Sequence, residues 1–129
     1  MKTTKIILII DDDDIHQYIS KKTIAKLGAD SPVFSCPNGE IGLEKLLQEY
    51  SKDEHFIIFL DINMPIMNGW EFIEKFLSLN LNANDNIDIY LVSSSTDSVD
   101  IKKADESGCI KEFLSKPIAI EKYKSILKE

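Results

Sequence analysis

The 129-residue sequence contains no arginine; all fifteen of its basic side chains are lysines. A bound phosphate must then be met by an ammonium, a backbone N–H or a hydroxyl, and an arginine finger supplied in cis is excluded. Against the lysines stand 22 acidic residues, giving a formal charge of −7. With no lysine cluster on one face, binding to nucleic acid through counterion release is disfavoured. Cysteine is scarce. Cys36 and Cys109 fit no metal-ligand spacing and are too few for a disulfide framework, so both are read as free thiols. Long apolar runs are missing as well: Ile6–Ile10 runs straight into four aspartates. It is shorter than the ~7–15 residues of a secretory core, and nothing approaches the ~18 that cross a bilayer. The expectation is a soluble, cytoplasmic chain without membrane or nucleic-acid partners. One domain usually takes ~100–200 residues, so residues 1–129 are expected to form a single domain with no second module.

What is present is a regular alternation. Ile6–Ile10, Phe56–Leu60 and Ile89–Val92 are short β-branched or apolar runs, the pattern of strands buried on both faces of a parallel sheet, with Val33–Cys36 and Glu112–Ser115 as weaker candidates. Between them the apolar residues follow helical spacing. Ile15, Ile19, Ile24 and Leu27 precede Gly28; Leu43, Leu46, Leu47 and Tyr50 form a second stripe; Trp70, Ile73, Phe76 and Leu77 a third; Ile120, Tyr123 and Leu127 a last one. Residues 97–107 are the least amphipathic helix candidate, with little core to hold and a face left to cover a partner site. Residues 80–88 read as a surface loop rich in asparagine and aspartate. Five strands alternating with five helices predict an α/β sheet with helices on both faces and right-handed crossovers.

In such a sheet, chemistry collects at the carboxyl ends of the strands. Asp11, Asp12, Asp13 and Asp14 follow the first strand, Asp61 the third, Ser93, Ser94 and Ser95 the fourth, and Lys116 with Pro117 the fifth. If strands one and three are neighbours, Asp11, Asp12 and Asp61 meet at one rim and repel unless a cation lies among them. An oxygen-only cluster suits magnesium, which completes its shell with waters and a substrate phosphate. Lysine and hydroxyl groups opposite it would share the charge of a phosphoryl group. Singly, each residue has a plainer use: Asp13 or Asp14 caps the helix beginning near Ile15, Asp61 turns the chain, and Lys116 is solvated. His16 and His55 have no partner motif and are assigned surface or boundary positions.

The segments Ile7-Leu8-Ile9-Ile10-Asp11-Asp12-Asp13, Phe59-Leu60-Asp61 through Met67-Asn68-Gly69, Tyr90-Leu91-Val92-Ser93-Ser94 and Phe113-Leu114-Ser115-Lys116-Pro117 resemble the four signature stretches of the receiver domain of two-component response regulators. Order and spacing carry the resemblance, with steps of 49 from Asp12 to Asp61, 32 to Ser93 and 23 to Lys116. It implies a flavodoxin-like, five-stranded parallel sheet in the order 2-1-3-4-5, which periodicity alone does not dictate. It also implies that Asp61 is the phosphoacceptor. Asp12 would be a direct Mg2+ ligand, Asp11 would act through a water, and Asp61 and the backbone carbonyl of Asn63 would complete the metal set. Lys116 would pair with carboxylate and phosphoryl oxygens, Ser93 would be the switch hydroxyl and Phe113 the switch aromatic, with a cis Lys116–Pro117 bond. Serine in place of the family's usual threonine loosens that switch, phenylalanine in place of tyrosine leaves packing as its readout, and one extra residue before Lys116 keeps Ser94 as the alternative hydroxyl.

By resemblance the chain is a signalling phosphoacceptor and not an enzyme acting on a separate substrate. Its partners would be a sensor histidine kinase or histidine phosphotransfer protein and a downstream protein on the 97–127 face, with the chain monomeric or a weak phospho-dependent dimer. An intermediate phosphorelay shuttle is the near alternative and a non-phosphorylated receiver-like scaffold the distant one. An aspartate-nucleophile phosphatase of the haloacid-dehalogenase type would carry its D-x-D motif after the first strand. A flavodoxin would need hydroxyls and glycine where four aspartates stand.

Overall fold

The computed structural model describes residues 5–28, 30–94 and 97–128. Five strands, β1 (Lys5–Ile10), β2 (Val33–Cys36), β3 (His55–Asp61), β4 (Ile87–Ser93) and β5 (Ile110–Ser115), alternate with five helices. These are α1 (Asp14–Lys26), α2 (Gly39–Glu49), α3 (Gly69–Ser78), α4 (Ser98–Ser107) and α5 (Ile120–Leu127). All strand pairs are parallel and the order is β2-β1-β3-β4-β5, as the resemblance implied. The apolar runs are buried on both faces because strand side chains alternate: Ile6, Leu8 and Ile10 point into one core, Ile7 and Ile9 into the other. The first core takes Leu43 and Leu46 from α2, Phe72 and Phe76 from α3, and Ala104 from α4; the second takes Ile24 from α1 and Tyr123 from α5.

The α1 stripe departs from expectation. Ile15 and Ile19 are 73% and 50% exposed, and the helix instead buries His16, Gln17, Ser20 and Ile24. Three of those four are polar, and each has a fixed partner inside. Ser20 Oγ lies 2.7 Å from Tyr123 Oη, tying α1 to α5. His16 therefore is not a surface residue, whereas His55 does sit at a boundary, opening β3 with Nε2 2.7 Å from Asp88 Oδ2. In the second and third stripes Leu47 and Leu77 turn outward, and in the last Ile120 does, while Leu43, Leu46, Ile73, Phe76 and Tyr123 are core.

The loop expected over 80–88 is shorter, because β4 begins at Ile87. Asn86 pins its end by donating from Nδ2 to the carbonyls of Ser51 and Glu54 at 3.0 and 2.8 Å. On α4 only Ala104 is buried, and Trp70 on α3 secures it from outside. The indole Nε1–H donates to Asp100 Oδ1 at 3.2 Å, and Lys103 Nζ stands 4.5 Å over the ring. Gly108 ends α4 in the left-handed region at φ 76°, which a side chain adopts only at a cost. Cys36 is buried, Cys109 half-buried, and both are free thiols.

Candidate metal and phosphoryl site

Asp11 is the first residue beyond β1, and its N–H still reaches Cys36 O on β2 at 2.9 Å. Its carboxylate is held by three groups. Oδ1 accepts the Asp13 N–H at 2.9 Å and the Lys116 ammonium at 3.1 Å; Oδ2 lies 2.7 Å from His16 Nδ1 and 2.9 Å from Lys116 Nζ. Asp13 turns the chain and caps α1, accepting the N–H groups of Ile15 and His16 at 3.0 and 3.1 Å. Asp12, between them, is exposed.

Asp61 closes β3, the strand hydrogen-bonded to β1, so the order of the sheet delivers it to the same rim. One ligand oxygen each from Asp11, Asp12 and Asp61 falls within 4.8 Å of the others. That donor set is all carboxylate, one member exposed and two buried, which fits a hard divalent cation reached from solvent. Asn63, two residues on, is exposed. The next turn is tight: Met67 N–H donates to Pro65 O at 2.7 Å, and Ile66 between them takes φ 71°. A β-branched residue in that region costs about 1–3 kcal/mol, which the packing on either side must sustain. The chain then returns against β3, where Gly69 opens α3; a Cβ there would lie 2.6 Å from Asp61 O.

Lys116 follows β5, and its Nζ, 3.4 Å from Asp61 Oδ2, bridges the two buried carboxylates. Its backbone N–H donates to Ser93 O at 2.9 Å, so the ends of β4 and β5 are joined. Ser93 ends β4 and is buried; Ser94 is exposed; Ser95 lies outside the described residues. Phe113 on β5 is half-buried against the core on the α2–α3–α4 side, and the Lys116–Pro117 bond is cis.

Electrostatics separate the two buried acids. Burial, then the charge of Asp11, pushes Asp61 up to about 7, with Lys116 pulling the other way. Burial also opposes ionisation of Asp11, but hydrogen bonds from His16, Lys116 and the Asp13 N–H outweigh it and hold that carboxyl at about 2. Burial would lower Lys116; its hydrogen bond to Asp11 and the charges of Asp11 and Asp61 raise it instead. The site thus holds one firm anion and one carboxyl on the edge of ionising.

Two residues here were given no part in the site from sequence: His16 was assigned to a surface or boundary position and Gln17 was not singled out. His16 grips the Asp11 carboxylate, and Gln17 Nε2 lies 3.1, 3.0 and 3.0 Å from the carbonyls of Ile9, Asp11 and Cys36. Their signal was the spacing 16, 17, 20, 24, which puts polar residues on the inward face of α1 beside Ile24.

The chain matches the model of the response regulator receiver domain over residues 7–128, which bears out the resemblance read from its motifs. It is 32% identical over 129 residues to the osmosensing histidine protein kinase SLN1 of Saccharomyces cerevisiae, covering 99% of this chain and 10% of that protein. It is 30% identical over 121 residues to the probable C4-dicarboxylate response regulator DctR of Halalkalibacterium halodurans, covering 94% of this chain and 49% of that one. The chain thus spans about half or less of these two curated relatives. Among solved structures, a two-component response regulator from Cytophaga hutchinsonii is similar over 99% of this chain and 100% of its own, at a TM-score of 0.82 and 29% identity. A response regulator receiver protein from Dyadobacter fermentans is similar over 97% and 96%, at a TM-score of 0.83 and 26% identity.

Proposed function

This chain belongs to the response regulator receiver domain family, and from that premise we propose that it takes a phosphoryl group from a phosphohistidine onto Asp61 and thereby switches the binding of a protein partner. The donor is a sensor histidine kinase or a histidine phosphotransfer protein. An Asp61 oxygen attacks phosphorus, the P–N bond breaks with its electron pair left on the imidazole nitrogen, and that nitrogen takes a proton from solvent. Asp61 becomes an acyl phosphate. The observation that carries this reading is the Lys116 ammonium set between Asp11 and Asp61, 2.9 and 3.4 Å from their carboxylate oxygens. From there it can keep Asp61 available as a nucleophile and then follow the charge onto the phosphoryl oxygens.

Asp11, Asp12, Asp61 and the Asn63 carbonyl are the protein's share of a magnesium site. When bound, Mg2+ supplies positive charge that favours the ionised Asp61 and neutralises the phosphoryl oxygens. Ser93 turns its hydroxyl toward the phosphoryl group and Phe113 repacks behind it, which biases two conformations of the 97–127 face where the partner docks. In this account residues 1–129 work as one cytoplasmic receiver unit, monomeric or weakly dimeric when phosphorylated.

The test is intact-mass analysis after incubation with acetyl phosphate, with and without Mg2+, beside Asp61→Asn. One magnesium-dependent phosphoryl adduct, absent from the variant, is expected. A folded protein that binds Mg2+ yet gains no adduct from acetyl phosphate or a phosphohistidine donor would instead be a receiver-like scaffold.

A further inference from the structure

We infer that His16 is a positioning residue for the magnesium site, holding the Asp11 carboxylate in the orientation from which it supports the ion. The inference rests on the magnesium reading above and adds to it a residue on α1 that contributes no ligand.

His16 is 8% exposed. An imidazole withdrawn from water needs a partner to repay its lost hydration, and its Nδ1 is 2.7 Å from Asp11 Oδ2. A carboxylate paired with the Lys116 ammonium only accepts, so Nδ1 facing it donates, in a charge-assisted bond of the stronger kind. An ionised carboxylate offers about four acceptor positions. On Asp11 three groups use them: His16 at Oδ2, the Asp13 N–H at Oδ1, and the Lys116 ammonium, which donates to Oδ1 and pairs with Oδ2. Both Asp11 oxygens are therefore engaged, and groups outside the carboxylate cluster set the orientation of the carboxylate.

The same turn of α1 also grips the main chain of Asp11. Gln17 Nε2 reaches the Asp11 carbonyl at 3.0 Å, together with those of Ile9 and Cys36. Adjacent residues thus fix Asp11 at both ends, His16 at the carboxylate and Gln17 at the backbone. Lys116 cannot replace His16 in this, because the ammonium is shared with Asp61. Removing an outer partner that orients a ligand typically costs ~10–100-fold in metal affinity.

The test is calorimetric titration of Mg2+ into the full chain at one pH, comparing wild type with His16→Asn, His16→Gln and His16→Leu, each first compared by near-ultraviolet circular dichroism. The Asn amide nitrogen occupies the place of His Nδ1, whereas the Gln amide reaches one bond further and Leu has no donor. His16→Asn should bind within about threefold of wild type, and His16→Gln and His16→Leu at least ~10-fold more weakly. If Leu fails to fold, the contrast between Asn and Gln decides, since both are polar amides. Wild-type affinity in both Gln and folded Leu variants would overturn the inference. No magnesium binding by wild type itself would overturn the metal reading, and with it any role for His16 in that site.

Discussion

Asp11 and Asp61 lie side by side at the carboxyl edge of neighbouring strands and share one ammonium, yet their proton affinities are driven apart, to about 2 and about 7. The difference follows from partners. Asp11 collects His16, Lys116 and the Asp13 N–H, while Asp61 has Lys116 alone against burial and the charge of Asp11.

The pair predicts how the metal-free protein responds to pH. Asp61 ionises at about 7 when folded, above its ordinary 3.8, so its contribution to stability is fully present below about 3.8 and is lost as pH rises toward 7. Asp11 has the opposite sign: its contribution is present above 3.8 and lost as pH falls toward about 2. In urea titrations, wild type should lose on the order of a few kcal/mol of stability relative to Asp61→Asn as pH rises between those values, and Mg2+ should restore it. A difference independent of pH would contradict the assignment.

Lys116→Ala should slow phosphorylation by acetyl phosphate ~10²–10³-fold, the usual cost of removing one donor aimed at developing charge. Lys116→Arg should recover only part of that, because a planar fork does not replace a compact ammonium between two carboxylates. Adduct formation followed by mass against time measures both; an unimpaired Ala variant would leave Lys116 structural.

Gln17→Leu removes the one side-chain amide that three buried carbonyls share, and should cost about 3 kcal/mol in urea denaturation. Because one of those carbonyls belongs to Asp11, magnesium affinity should fall too. Unchanged stability would mean that water serves these carbonyls equally well.

Gly69→Ala tests the close approach of α3 to the end of β3. The added methyl would meet Asp61 O at 2.6 Å and Ile62 Cα at 3.0 Å, both backbone atoms. The chain must shift, at about 1–3 kcal/mol, and Asp61 shifts with it, so stability and phosphorylation rate should fall together. A loss in only one of them would separate α3 packing from the site.

Much of this was legible in the amino-acid sequence, and what was missed has physical reasons. The runs Ile6–Ile10 and Phe56–Leu60 announced buried parallel strands, and the residues just after them, Asp11, Asp12 and Asp61, do converge. Strand adjacency came from family resemblance, since alternation says nothing about neighbours. The inward face of α1 was misread because apolar spacing counts Ile15 and Ile19 and ignores His16, Gln17 and Ser20. Those polar residues are buried because strand-end carbonyls, the Asp11 carboxylate and the Tyr123 hydroxyl wait for them. A hydrophobicity pattern carries no term for such partners. β5 was also read too short, because Ile110 and Lys111 precede the apolar pair Phe113 and Leu114.

The most direct measurement is chemical trapping of the phosphorylated residue. Borohydride reduces an acyl phosphate to the alcohol, so peptide mapping after incubation with acetyl phosphate and Mg2+ should find homoserine in place of Asp61, with Asp11 and Asp12 unchanged. Homoserine at 11 or 12, or at none of the three in protein whose intact mass shows the adduct, would contradict Asp61 as the phosphoacceptor.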